Sequence, residues 1–377
     1  MTENLVLDGA RADAFARELD ALRAEVLADL GQRDVDHIRA VVRTAHVSEA
    51  IGRLLLAVGI DPVSFVVGTG ALAVGKILEN MEVGHNVLHG QYDWTKDPKL
   101  ASATYETDMA FTSVDWRRAH NYEHHTFTNI LGKDRDLGYG WLRVAPEQAW
   151  EPKHLIQPVV AAVIACTFQW GIALHSMGAL EEGGVGRARP LLTKAVWQLF
   201  KDYTFYPALA LGNAPRVIAG NLLANLARNL WAFAVIYCGH FAEGVRVYDE
   251  ADTVNESRGQ WYARQLNGSA NLDGSWLFHV MSGHLSHQIE HHLFPDLPAA
   301  RYQELAPRVR EICARYGQAY TTGRLRTQLG SVVKKLVRFA LPNRGGAASA
   351  AAREQQGLAE QQREQRGGDR VPELDAA

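Results

Sequence analysis

The sequence predicts an all-α integral membrane protein, in which a bundle of spanning helices carries a helical cap outside the bilayer. Three observations predict it. Long apolar runs fall within 54–78, 155–180 and 215–240, each close to the roughly 20 apolar residues a helix needs to cross hydrocarbon. Polar stretches of domain size lie between and after them, over 91–152 and beyond 294. Nine of the 15 histidines crowd into three short segments, two of which adjoin or follow those runs.

The histidine segments share one grammar. They read His85-Asn-Val-Leu-His89, His120-Asn-Tyr-Glu-His124-His125 and His284-Leu-Ser-His287-Gln288-Ile-Glu-His291-His292. A helix advances about 100° per residue, so residues four apart share a face. His85/His89, His120/His124 and His287/His291 have that spacing, as does Gln288/His292. A lone histidine on a helix is ordinarily a hydrogen-bonded core or surface residue. Three pairs, two with a neighbouring histidine, point to metal ligation instead, because neutral imidazole suits Fe, Zn, Cu and Ni. So many imidazoles exceed one ordinary coordination sphere and imply two ions sharing a site.

Along the chain, residues 1–50 carry Val6, Phe15, Leu19, Leu22, Val26 and Leu27 at helical spacing, an amphipathic region for a membrane or protein surface. The run to Leu78 predicts one crossing near 63–80, with part of another before it, and leads straight into His85. Residues 91–152, with Trp94, Trp116, Trp141 and Trp150, read as cap. The run 155–180 predicts a crossing flanked by His154 and His175, each read as interfacial or structural. The run 215–240 predicts another and ends at His240, which adds a candidate ligand. Because the histidine segments must meet on one side, an even number of crossings separates the second from the third. The segment 190–212 is then interfacial or a loop helix, and its basic residues fall on the outer side, against the positive-inside tendency. Residues 51–342 form the membrane domain, and 343–377, rich in Ala, Gln, Glu and Arg, are expected to be a disordered tail.

Composition bounds the partners. The chain is 47% hydrophobic with a formal net charge of -3, which offers no basic surface for nucleic acid. Cys166, Cys238 and Cys313 are far apart and suggest neither a disulfide framework nor a cysteine metal site. No signal peptide, H-P-G-G haem motif or Gly-rich dinucleotide motif is visible.

The longer strings Gly84–Trp94, His120–Asp134 and Gln288–Pro298 resemble those of the membrane fatty-acid desaturases, in particular the actinobacterial branch that includes NADPH-dependent stearoyl-CoA 9-desaturases. The similarity covers roughly residues 50–340. The resemblance implies about four spanning helices, a cytosolic cap, a di-iron centre and O2-dependent removal of two hydrogens from an acyl chain. By position it implies iron ligands at His85, His89, His120, His124, His125, His240, His291 and His292, with Gln288 in the place where other branches carry histidine. His284 and His287 are nearby substitutes. It further implies a membrane-embedded acyl substrate, as acyl-CoA or acyl-lipid, and electrons from NADPH through a separate reductase.

The chemistry agrees with iron. An unactivated methylene C–H yields only to a redox metal with O2 and electrons, which zinc cannot supply. Glu123 and Glu290, beside the histidines, are placed to orient them, and Arg117 and Arg118 form either a solvated pair or an attractor for an acyl-carrier phosphate. Four rivals remain: a zinc peptidase, since His120-x-x-Glu-His124 and His287-x-x-Glu-His291 match H-x-x-E-H; a metal transporter; a fatty-acyl hydroxylase; and a front-end 6-desaturase.

Overall fold

The computed structural model describes residues 7–178 and 188–343. All but the first residue of the expected tail lies outside the described residues. Helix α1, Gly9–Ala28, is followed by α2, Gln32–Val58, which runs through residue 50 without a break. A tight turn reverses the chain at Asp61, whose carboxylate accepts from Ser64 N at 2.9 Å and caps a helix that opens with Pro62. This helix, α3, spans Pro62–Leu88 and contains a π segment, Glu79–Gly84, just before His85. α2 and α3 pack backbone to backbone. A Cβ on Gly52 would stand 2.6 Å from Leu72 N, and one on Gly75 2.8 Å from Ala45 O. Small residues at such an interface replace the hydrophobic drive that lipid does not provide.

Helix α4, over 113–127, is π-helical across Arg117–His124 and carries the second histidine segment. Next come α5, Gln157–Cys166, and α6, Phe168–Met177, bent 97° from one another. Then α7 runs over 188–209 and α8 over Ala214–Phe241. The cap adds α9, Arg258–Asn267; β1, Asn271–Asp273; α10, Trp276–Met281; α11, Gln288–Leu293; and α12, Tyr302–Tyr316. It ends in β2, Thr322–Arg324, parallel to β1, and α13, Leu325–Phe339.

The crossings differ from those expected at 155–180 and 190–212. Both ends of the α5–α6 pair lie beside the histidines. Gln157 accepts from Arg143 N at 2.8 Å and donates to Leu336 O, while His175 meets Asp136 at 2.7 Å. The bend between them reaches only as far as Asn229, which donates to Cys166 O, about three helical turns from His240. The pair therefore enters and returns. Helix α7 instead runs the length of the bundle. It starts where Lys194 meets Glu106 and Thr107 O, and the chain leaving it places Asn213 on Ala57 O, at the α2–α3 turn. Four long helices, α2, α3, α7 and α8, thus join the two ends.

Hydropathy passes α3 and Leu211–Phe241 as long and apolar enough to span, together with the bent pair, but not α7. The reason is that α7 turns its charges inward. Asp202 is fully buried against Lys76 at 2.8 Å and Arg53 at 3.2 Å, and Lys201 pairs with Asp108. Its outer face is Leu192, Val196, Leu199 and Leu209, all exposed. Ionisable groups inside a membrane protein face the bundle in this way. Arg189 and Lys194 consequently lie at the histidine end, which removes the conflict with charge asymmetry.

The cap has its own core. Phe15 and Leu19 of α1 pack with Tyr262, Leu266, Ile289, Leu293, Tyr302 and Val309, so the N-terminal amphipathic face is buried on protein. Arg301 joins this core to α2 through buried Asp34, at 2.8 Å.

The re-entrant pair makes a testable distinction. Single cysteines at Lys153 and Arg189, in a chain freed of its native thiols, should react with a membrane-impermeant maleimide from the same side, and one at Ile60 from the other. Labelling of 153 and 189 from opposite sides would restore 155–180 as a crossing.

Candidate metal centre

Four elements bring the histidine segments together. The end of α3 supplies His85 and His89, α4 supplies His120, His124 and His125, the last turn of α8 supplies His240, and α11 supplies Gln288, His291 and His292. The approach of α11 to α8 depends on Gly239, where a Cβ would stand 2.9 Å from Gln288 Cγ.

Within the cage the imidazoles fall into two groups. Ligand atoms of His85, His89, His120 and His291 lie within 4.8 Å of one another, as do those of His124, His240 and His292. His125 stands between the groups, with ring centroids 4.7 Å from His89, 4.8 Å from His291 and 4.6 Å from His292. The Gln288 side-chain amide meets His240 Nε2 at 3.1 Å.

The two nitrogens of most rings face different ways. The outer one has a protein partner. His124 Nδ1–H donates to Asp134 at 3.1 Å, and His292 Nδ1–H to Gln265 Oε1 at 3.0 Å. His85 Nδ1 meets Asn86 Oδ1 at 3.0 Å, His291 Nδ1 meets Tyr302 Oη at 3.4 Å, and His120 Nδ1 lies 3.5 Å from Asp136. The inner one has none. Nε2 of His89, His120, His124, His291 and His292, Nδ1 of His240 and both nitrogens of His125 are buried without a partner. Buried nitrogens so oriented, with their far sides fixed by acceptors, are the arrangement of imidazoles that hold metal. The donor set, all imidazole with one amide nearby, fits two ions of the iron type.

Electrostatics supports neutral ligands. Burial pushes His125, His291 and His292 well below the ordinary imidazole range, and the neighbouring histidines push them the same way. His124 is the exception: burial pulls it down, but the Asp134 carboxylate outweighs this and holds it up at about 9.

Several sequence-selected residues lie elsewhere. His284 Nδ1 meets Glu82 at 2.8 Å, and His37 Nε2 meets the other Glu82 oxygen at 2.9 Å, a triad satisfied by its own hydrogen bonds. His287 packs against His279, with centroids 4.6 Å apart. Neither belongs to the two groups. Glu123 pairs with Arg135 at 2.8 Å, and Glu290 accepts from Asn271 and Tyr320, both at 2.8 Å. Burial pushes Glu290 up to about 7, against the pull of those two donors. With both glutamates so engaged, neither H-x-x-E-H string presents a carboxylate between its histidines as a zinc peptidase requires. Arg117 donates to Ser113 O and Arg118 to Ser176 O. His154 accepts from Glu151 N. The orienting groups missed by the sequence are Asp134, Asp136 and Gln265. The first two sit in a turn just after the second histidine segment; Gln265 lies 27 residues before His292, the ring it meets, and carried no signal.

Beneath the cage lies a narrow, mostly apolar cleft of about 70 Å³. His85, His120, His240 and Gln288 form one part of its wall, and Met81, Phe111, Trp116, Phe168, Ile172 and Ile236 form much of the rest. Trp116 stacks on His120, with centroids 4.5 Å apart.

Fold and site together define a class: a helical membrane protein with two clusters of inward-turned imidazoles at the wall of an apolar cleft. The family model described as fatty acid desaturase matches residues 62–324, and the chain belongs to the fatty acid desaturase family. It is 43% identical over 350 residues to the NADPH-dependent stearoyl-CoA 9-desaturase of Mycobacterium tuberculosis, covering 90% of this chain and 82% of that one. It is 26% identical over 308 residues to the sn-1 linoleoyl-lipid 6-desaturase of Synechocystis, covering 77% and 85%. Against fatty acid desaturase 3 of Bos taurus it is 37% identical over 264 residues, covering 68% and 56%.

The orienting role of Asp134 can be measured. Asp134→Ala should weaken iron binding by about 10- to 100-fold in titrations of the apoprotein, whereas Glu123→Gln should leave it unchanged. The reverse order would return the role to Glu123.

Proposed function

We propose that the protein is an O2-dependent fatty-acyl desaturase that places a cis double bond at carbon 9 of saturated C16 and C18 chains carried as acyl-CoA. The observation that carries this reading is the pair of imidazole groups opening on one apolar cleft. The position of the bond and the acyl carrier rest on the name of the Mycobacterium relative.

In this reading His85, His89, His120 and His291 hold one iron, and His124, His240 and His292 the other. His125 serves between them, and Gln288 completes the shell beside His240. Two irons bound there supply O2 activation and the oxidising power that a methylene C–H requires. The protein's own part is placement. Phe111, Trp116, Phe168 and Ile172 hold the chain in one extended path and keep bulk water from the reacting carbons. Trp116, stacked on His120, fixes one wall of that path relative to the first group. Asp134 and Gln265 hold His124 and His292 in the tautomer that turns a bare nitrogen inward, and Asp136 lies beside His120.

The centre faces the cytoplasm in this account. Support comes from Arg189 and Lys194 at the histidine end of α7, where positive charge marks the cytoplasmic side. Electrons come from NADPH through a separate reductase, since the sequence offers no flavin, dinucleotide or iron–sulfur motif.

A second reading, desaturation at carbon 6, is favoured by the similarity to the Synechocystis enzyme, at lower identity. Expression in a desaturase-deficient host, with mass spectrometry that locates the double bond, decides between them. The bond is expected at carbon 9; a bond at carbon 6 or a hydroxy acid would overturn the assignment. The purified chain should carry iron rather than zinc and turn over only when a reductase is added. Turnover with NADPH and O2 alone would refute the separate-reductase proposal.

A further inference from the structure

His175 is read from sequence as interfacial or structural, and it stands in the wall of the cleft with Ile172 and Ser176, on the returning arm of the bent pair. Its Nε2 lies 2.7 Å from one oxygen of Asp136. The other oxygen of Asp136 lies 3.5 Å from His120 Nδ1 and 3.9 Å from His124 Nδ1. This one carboxylate, itself in the wall of the cleft, therefore lies between His175 on one side and His120 and His124 on the other. Asp134, its neighbour, is committed differently, to His124 and to the backbone of Asn129 and Asp136.

The end of α6 is also tied to the cap by its backbone. Arg135 donates to His175 O at 2.7 Å, and Arg118 donates to Ser176 O at 3.0 Å. The His175 ring rests against Tyr139, with centroids 5.0 Å apart. A chain lying in the cleft would press on Ile172 and His175 directly. The contact between Asp136 and His120 Nδ1, at 3.5 Å, is long for a hydrogen bond and is therefore sensitive to where His175 holds the carboxylate. Packed and hydrogen-bonded contacts of this kind carry coupling between two sites when one of them has two arrangements.

We propose that His175 is a positioning residue that transmits acyl-chain occupancy of the cleft, through Asp136, to the His120 side of the metal centre. The proposal rests on the desaturase reading. It makes the centre competent to use O2 productively only when a chain is in place. His175 acts through Asp136 and is not one of the imidazoles of either metal group.

The test uses the iron-loaded protein with its reductase, and stearoyl-CoA as the probe. His175→Phe keeps a ring but removes both nitrogens; His175→Asn keeps a donor. Three quantities are read: iron content, the change in the magnetic circular dichroism of the reduced centre on adding stearoyl-CoA, and O2 consumed per double bond formed. Wild type should show a spectral change and closely matched O2 and product. His175→Phe should keep its iron and still bind stearoyl-CoA, lose the spectral change, turn over about tenfold more slowly, and consume O2 in excess of product. His175→Asn should recover much of both. A His175→Phe protein that keeps the spectral change and matched O2 use would overturn the proposal. Loss of iron would also overturn it, because His175 would then be a brace for His120. Should wild type bind stearoyl-CoA, change its spectrum and yet form no double bond, the desaturase reading would fail and take the proposal with it.

Discussion

The structure depends on a cage of buried imidazoles whose inner nitrogens no protein group satisfies. A buried polar atom without a partner costs about 1–3 kcal/mol, and this cage concentrates several at one point. Such a cost persists only where something binds to repay it. The rest of the chain can be understood as holding those nitrogens in place. Asp134, Gln265 and Tyr302 grip the outer sides of the rings. Gly239 lets α11 come against α8. The π segments at 79–84 and 117–124 widen the turns that present His85 and His120. Such bulges recur at functional sites because they re-aim side chains that a regular helix would misplace.

The bundle meets a second constraint, the need to keep ions out of lipid. Inside it Asp202 pairs with Lys76 and Arg53, and Asp108 pairs with Lys201. The same network fixes the position of α7 against α2 and α3, and with it the lateral boundary of the site. The bent pair α5–α6 then has no need to span. It dips into the bundle and brings Phe168, Ile172 and His175 to the cleft from below.

Much of this was legible in the sequence, for identifiable reasons. The histidine segments are local patterns with a fixed helical period, so the residues of both groups could be chosen by spacing and resemblance. His240 was legible as a histidine ending an apolar run. What escaped is what depends on tertiary contact. Glu123 and Glu290 looked like orienting groups because they are next to histidines in sequence, but Glu123 is taken up by Arg135 and Glu290 by Asn271 and Tyr320. Most of the acceptors that meet the rings lie outside the histidine segments: Asp134 is 10 residues beyond His124, and Gln265 reaches His292 from 27 residues away. Hydropathy made 155–180 a crossing, and the even-crossing argument then made 190–212 interfacial or a loop helix; hydropathy erred for a related reason. It weighs charge without knowing which face carries it, and α7 hides its charges while α5–α6 hides its bend.

The central claim is that the two imidazole groups are two metal sites and not one. Anomalous scattering at the iron edge, from crystals of the iron-loaded protein, tests it most directly. Two iron peaks are predicted, one among His85, His89, His120 and His291 and one among His124, His240 and His292, with His125 between them. A single peak, or a peak at the His37–Glu82–His284 triad in place of either, would contradict the account.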